Sequence, residues 1–148
     1  MDASRQTGSL RDRLEFFCRC RHVEALYVFG SRAGEIHKAM DGDGFEMGPT
    51  SDFDIAVKLP GDRRISVREK AELAIELENL LGVERVDFVV LSEMDPFLAV
   101  NIIRGERVFC RDDYAADDYE LYVLRRAGDL EPFERLRIEH SLNSPESR

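Results

Sequence analysis

Residues 51–59 read Ser51-Asp52-Phe53-Asp54-Ile55-Ala56-Val57-Lys58-Leu59, and the alternation inside this stretch decides how the chain folds. Successive side chains of a β-strand point to opposite faces, so a period of two sorts them into two rows. Phe53, Ile55, Val57 and Leu59 fall in one row and can join a core. Asp52 and Asp54 fall in the other, their carboxylates one pleat repeat apart. Pro60-Gly61 ends the strand.

Toward the N-terminus, Ala25-Leu26-Tyr27-Val28-Phe29 is a short apolar run that reads as a buried strand and stops at Gly30-Ser31. Before it, Leu10, Leu14, Phe17 and Cys18 recur at helical spacing behind a Ser9 cap. Residues 31–51 are polar and hold Gly34, Gly42, Gly44, Gly48 and Pro49; a helical turn opens this stretch and a loop is expected over Asp41–Thr50.

Toward the C-terminus, Ser66-Val67-Arg68-Glu69 has the form of a capping box. Ala71, Ala74, Leu77, Leu80 and Leu81 give the helix behind it an apolar face, and Gly82 stops it. Arg85 to Leu91 reads as a third strand. Asp95-Pro96 is a cap with proline at the first helical position, and that helix ends at Gly105. Val108-Phe109-Cys110 is a short strand, and Tyr114–Arg126 and Leu130–His140 are helices. The order predicts an α/β (α+β) fold, a mixed β-sheet with helices packed mainly on one face. No linker divides the chain: residues 1–140 form one domain and 141–148 a flexible tail.

Composition bounds the function. The 148 residues are 43% hydrophobic and 34% charged, enough apolar material for one packed core. Lys plus Arg number 21 against 30 Asp plus Glu, a net charge of −9. Nucleic acid and anionic membranes are thereby disfavoured as partners, because neutralising phosphates needs clustered cations. Three cysteines do not make a disulfide scaffold and fit a reducing compartment. The N-terminus has no apolar signal segment and no run approaches a membrane span, so a cytoplasmic protein is expected.

The second strand also carries chemistry. Two carboxylates this close repel each other unless a cation sits between them. Magnesium prefers oxygen ligands and commonly takes one or two carboxylates plus substrate phosphates. Asp87 lies inside the apolar third strand, where an unpartnered acid is costly to bury. If the two strands are neighbours, Asp52, Asp54 and Asp87 can hold two cations about 3.5–4 Å apart, the spacing used for in-line displacement at phosphorus. Gly30-Ser31 supplies a place where backbone amides and a hydroxyl can approach phosphate. It is not a Walker A loop, because no Gly-Lys-Ser/Thr follows.

Phe29-Gly30-Ser31-Arg32-Ala33, Ser51-Asp52-Phe53-Asp54-Ile55-Ala56-Val57 and Val86-Asp87-Phe88-Val89-Val90-Leu91, in this order, resemble the DNA polymerase β-like nucleotidyltransferase superfamily, nearest to its MNT-type minimal branch. The resemblance runs over roughly residues 10 to 140. It implies transfer of AMP from ATP, with Gly30, Ser31 and Arg32 at the nucleotide and Asp52, Asp54 and Asp87 as catalytic residues holding two Mg²⁺ ions. Asp87 would also help activate an acceptor hydroxyl. Minimal members are often antitoxins that adenylylate a HEPN-domain toxin, so a HEPN-type partner is expected; a homo-oligomer is left open. The interval between Ser31 and Asp52 is longer than the family pattern by about ten residues.

Competing readings are weaker. Asp41-Gly42-Asp43-Gly44-Phe45-Glu46 lacks the ligand an EF-hand needs where Phe45 stands. Cys18-x-Cys20 with His22 has the wrong spacing for a zinc knuckle. Arg135-x-x-x-x-His140 matches the nuclease motif of HEPN domains, but those are all-helical and this chain is strand-rich. His37 reads as a surface residue, Arg63-Arg64 as a solvated loop, and Tyr114, Tyr119 and Tyr122 as packing for the C-terminal helix. A non-catalytic protein that neutralises its partner by occlusion, and a transferase acting on a small hydroxylated molecule or an RNA end, are the alternatives to a protein adenylyltransferase.

Overall fold

A computed structural model describes residues 8–40, 52–61 and 63–143, with side chains to residue 130. The expected loop over Asp41–Thr50, Ser51 and residues 144–148 of the expected tail lie outside the described residues, as do the side chains of Arg135 and His140.

Helix α1 spans Leu10–Cys20 and opens with a full capping box: Ser9 Oγ accepts from the Asp12 amide at 3.2 Å and Asp12 Oδ2 from the Ser9 amide at 3.3 Å. Strand β1 follows at Ala25–Phe29, then a short helix α2 at Glu35–Met40 and strand β2 at Asp52–Lys58. Helix α3 spans Val67–Leu81. Ser66 caps it by accepting from the Glu69 amide at 3.1 Å, while the Glu69 carboxylate stands 3.9 Å from Arg63 instead of closing the second half of the box. Gly82, at φ 70°, ends α3 in the left-handed conformation that glycine adopts without strain. Strand β3 is Arg85–Val90, and helix α4 is Pro96–Ile103. Asp95 Oδ1 caps α4 by accepting from Phe97 and Leu98 amides at 3.0 and 3.1 Å. Strand β4 is Glu106–Cys110, and helix α5 runs unbroken from Asp113 to Asn143.

The two C-terminal helices read from the sequence are thus one. Gly128 lies inside it, where an added Cβ would meet nothing within 4 Å. A glycine there costs about 1 kcal/mol against alanine, too little to break a long helix.

The four strands lie in the order β3-β2-β1-β4. β1 pairs antiparallel with β2 and β4, and β2 pairs parallel with β3, which makes the sheet mixed as expected. The parallel pair needs a crossover, and α3 provides it. On one face α1, α2 and α3 pack Leu14, Phe17, Ile36, Leu73 and Leu77 against Leu26, Val28, Phe53, Ile55 and Val57. This face carries three of the five α-helices among the described residues. The other is covered by α4 and α5, whose Ala99, Ile102 and Val123 meet Ala25, Tyr27 and Ala56. Cover on both sides explains why β1 is a continuous apolar run and not an alternating one. The buried row of α3 is Leu73, Leu77 and Leu81, while Ala71 is exposed. Among the described residues no helix is long and apolar enough to cross a membrane.

Candidate active site

Strand register brings the acids together. In the parallel pair Asp54 stands opposite Asp87, and Asp52 opposite Arg85. In the antiparallel pair Phe29 stands opposite Asp54, so Gly30 follows immediately beside that carboxylate. Phe53, Ile55 and Val57 are buried in the first core, which fixes Asp52, Asp54 and Ala56 on the opposite face. Asp54 and Asp87 are half-buried and Asp52 is exposed.

Asp54 is held above the ordinary aspartate value. Partial burial contributes most, followed by the Asp87 charge, a hydrogen bond shared with Asp87, and the Asp52 charge. A carboxyl pair close enough to share a proton is a strained arrangement that positive charge relieves. Arg85 supplies some of that charge: its Nε and Nη2 lie 3.1 and 3.0 Å from Asp87 Oδ1.

Gly30 is the tightest contact. Its φ is 80°, and a Cβ built there would collide with Asp54 Oδ2. Only glycine meets both conditions, the left-handed backbone and the close approach. Residues 31–34 form a turn whose Ala33, Glu35 and Ile36 amides donate to the carbonyls of Gly30, Arg32 and Ala33 at 3.3, 3.1 and 3.3 Å. Among the described residues the amides of Ser31 and Arg32 donate to no backbone carbonyl. The Arg32 side chain is engaged away from the carboxylates: it pairs with Glu35 and stacks 5.4 Å from the Phe53 ring centroid, over the strand face opposite Asp54.

The donor set is all oxygen and crowded with negative charge, which suits a hard divalent cation. The fit is strongest for Asp54 with Asp87. Asp52 acts on Asp54 through space, and among the described residues no three His, Cys, Asp or Glu side chains form a ready-made metal cluster.

The largest cavity among those described, about 650 Å³, is elsewhere. Tyr27, Lys58, Arg111, Tyr119 and Tyr122 line it at the far end of β1 and β2. At the opposite, carboxylate end the acids converge on Gly30, whose positive φ strains any residue with a side chain. Tyr119 packs on the second core as expected, whereas Tyr114 is 83% exposed.

Three features of this end carry no signal in the sequence. Arg85 is one: only the strand register sets it beside Asp87. Gly105 read only as a helix stop, yet a Cβ there would lie 2.5 Å from the Val28 carbonyl oxygen and 3.0 Å from Phe29 Cα. His37, read as a surface residue, places Nε2 2.7 Å from Glu106 Oε2.

The family model described as Polymerase beta, Nucleotidyltransferase matches residues 14–114. No curated protein matches the chain. Among solved structures, a chain of a toxin–antitoxin crystal structure with AMP-PNP is 17% identical, with a TM-score of 0.69, covering 89% of this chain and 98% of that one. A chain from the complex of a tri-AMPylated Shewanella oneidensis HEPN toxin with its MNT antitoxin is 16% identical, with a TM-score of 0.66 and coverage of 90% and 96%. A chain of the MntA–HepT toxin–antitoxin structure gives 16% identity, a TM-score of 0.66 and coverage of 90% and 97%.

Proposed function

Because the chain belongs to the polymerase β nucleotidyltransferase family, we propose that it transfers AMP from ATP to a hydroxyl of a partner protein, most simply a HEPN-type toxin that it restrains in the cytoplasm. The observation that carries this reading is the pairing of Asp54 with Asp87 on neighbouring strands, with Gly30 packed onto the Asp54 carboxylate.

The chain's own groups divide the work. The Ser31 hydroxyl and the Ser31 and Arg32 amides hold the terminal phosphates, reached because Gly30 has no side chain. Asp52, Asp54 and Asp87 would hold magnesium, which when bound would offset the charge of the triphosphate and of the departing pyrophosphate. Asp87, at the exposed side of the pair, accepts the proton of the acceptor hydroxyl. The acceptor's hydroxyl oxygen, freed of that proton, forms a bond to the α-phosphorus, the bond from that phosphorus to the α–β bridging oxygen breaks, and pyrophosphate leaves with the electron pair. The toxin–antitoxin complexes among the structural relatives support a protein acceptor, one of them holding an AMPylated HEPN toxin.

The test is incubation with ATP labelled at the α-phosphate, Mg²⁺ and the protein encoded by the neighbouring gene. Label should move to the partner and be lost with Asp54→Ala or Asp87→Ala. Absence of label on any partner, with the variants indistinguishable from wild type, would sink the proposal. A second reading, neutralisation by occlusion, draws on the exposed Tyr114, Leu121, Tyr122 and Leu124 of α5. Neutralisation that survives the combined Asp54→Ala, Asp87→Ala substitution would favour it.

A further inference from the structure

We infer that Gly105 and Glu106, with His37, form a clamp that positions the phosphate-binding turn, an inference that rests on the nucleotidyl-transfer reading above. The turn at residues 31–34 has little to hold it by itself. Two of its three internal amide–carbonyl bonds are stretched to 3.3 Å, and the helix it feeds, α2, has six residues. A helix that short is unstable alone, because nucleation costs more than one or two hydrogen bonds return. Its position has to come from tertiary contacts.

Burial of Ile36 and Met40 and the Arg32 contact with Phe53 supply some of these, and the junction between α4 and β4 adds one at each end of the turn. On the strand side, Gly105 lies so close to Val28 and Phe29 that no side chain fits between them, and Phe29 leads directly into Gly30. On the helix side, the very next residue, Glu106, reaches across to His37 in the middle of α2, with Oε2 and Nε2 2.7 Å apart. Glu106 stands opposite Val28 in the β1–β4 register, on the face where Ile36 and Met40 of α2 are buried. Two consecutive residues thus grip the backbone before the turn and the helix after it. Neither touches the triphosphate site; they fix the Ser31 and Arg32 amides so that binding does not have to order them.

The experiment measures calorimetric binding of a non-hydrolysable ATP analogue with Mg²⁺, together with KM and kcat for AMP transfer. Glu106→Ala and His37→Ala should each weaken nucleotide binding about threefold, the scale of a half-exposed polar pair. Combining them should weaken it no further, since both remove one link. Glu106→Gln should restore binding, because its amide oxygen still accepts from His37 Nε2. The loss should appear in KM for ATP, with kcat at saturation holding. Gly105→Ala should weaken binding about tenfold or more, provided circular dichroism shows it folded; if it does not fold, the His37 and Glu106 variants decide. Single variants that bind like wild type, or effects that add in the double variant, would overturn the clamp while leaving the transferase reading intact. A wild-type chain that binds no nucleotide would overturn both.

Discussion

Asp54 carries an electrostatic conflict that can be read out without a substrate. Its folded value lies above the ordinary aspartate value of 3.8. Between the unfolded and folded values the native chain binds the proton more tightly, so wild-type stability falls as pH rises through that window and the penalty is complete above it. Asp54→Asn removes the penalty. The variant should therefore gain in thermal midpoint over wild type at pH 7 and lose that gain near pH 4. Solvent reaches most of the carboxyl, and screening keeps the gain below about 1 kcal/mol. Mg²⁺ should raise the midpoint of wild type and do so much less in the variant. Midpoint curves that run parallel across pH, or an equal magnesium effect in both, would contradict this account. Gly30→Ala acts on the same carboxylate from the other side. Left-handed strain of about 1–3 kcal/mol adds to the collision with Asp54, so transfer should be lost even where the fold survives. Both residues were legible in the sequence, as an acid on the polar row of a strand and a glycine at a strand end. Their mutual contact was not, because it depends on the β1–β2 register.

At the level of elements, what the sequence shows best is what local chemistry determines. Ser9, Ser66, Asp95 and Gly82 announce helix ends through side-chain or backbone hydrogen bonds within a few residues, and each does so in the structure. The alternation of Phe53, Ile55 and Val57 fixes the face on which Asp52 and Asp54 stand. Contacts formed between distant segments, such as the Gly105 approach to β1 and the His37–Glu106 pair, leave no periodic trace. Helix α3 links the two levels. It is the crossover that makes β2 and β3 parallel, and Leu77 at its centre is fully buried against them. Leu77→Ala should cost about 2–5 kcal/mol in urea unfolding, the range for a large buried aliphatic truncated in a core. Asp95→Ala, which deletes only a cap, should cost about 1 kcal/mol. Equal effects would mean that α3 does not seat the sheet as described.

Across the whole molecule, a net charge of −9 has to be accommodated by a fold whose longest helix begins among acids. Asp112 precedes it, and Asp113, Asp117, Asp118 and Glu120 fall within its first turns. Arg107, on β4 opposite Tyr27, meets this cluster: its Nη1 lies 2.9 Å from Asp117 and 2.7 Å from Glu120, and its Nη2 3.7 Å from Asp113. Tyr27 donates its hydroxyl to Glu120 at 2.7 Å, and burial together with that bond keeps the phenol protonated. One cation and one hydroxyl therefore fasten α5 over the second core, where Val123 closes onto Tyr27 and Ala56. Arg107→Met keeps the bulk of the stem and leaves three carboxylates facing one another. The predicted cost is about 1–2 kcal/mol, the value of charged hydrogen bonds discounted for a quarter-exposed pair. Hydrogen exchange over residues 113–123 should quicken more than exchange in α3, because the lost contacts belong to the α5 side of the sheet. Added salt should narrow the gap between variant and wild type by screening the carboxylates that Arg107 no longer neutralises. Uniform quickening across both faces would mean that α5 is held by apolar packing alone and that Arg107 is incidental to it.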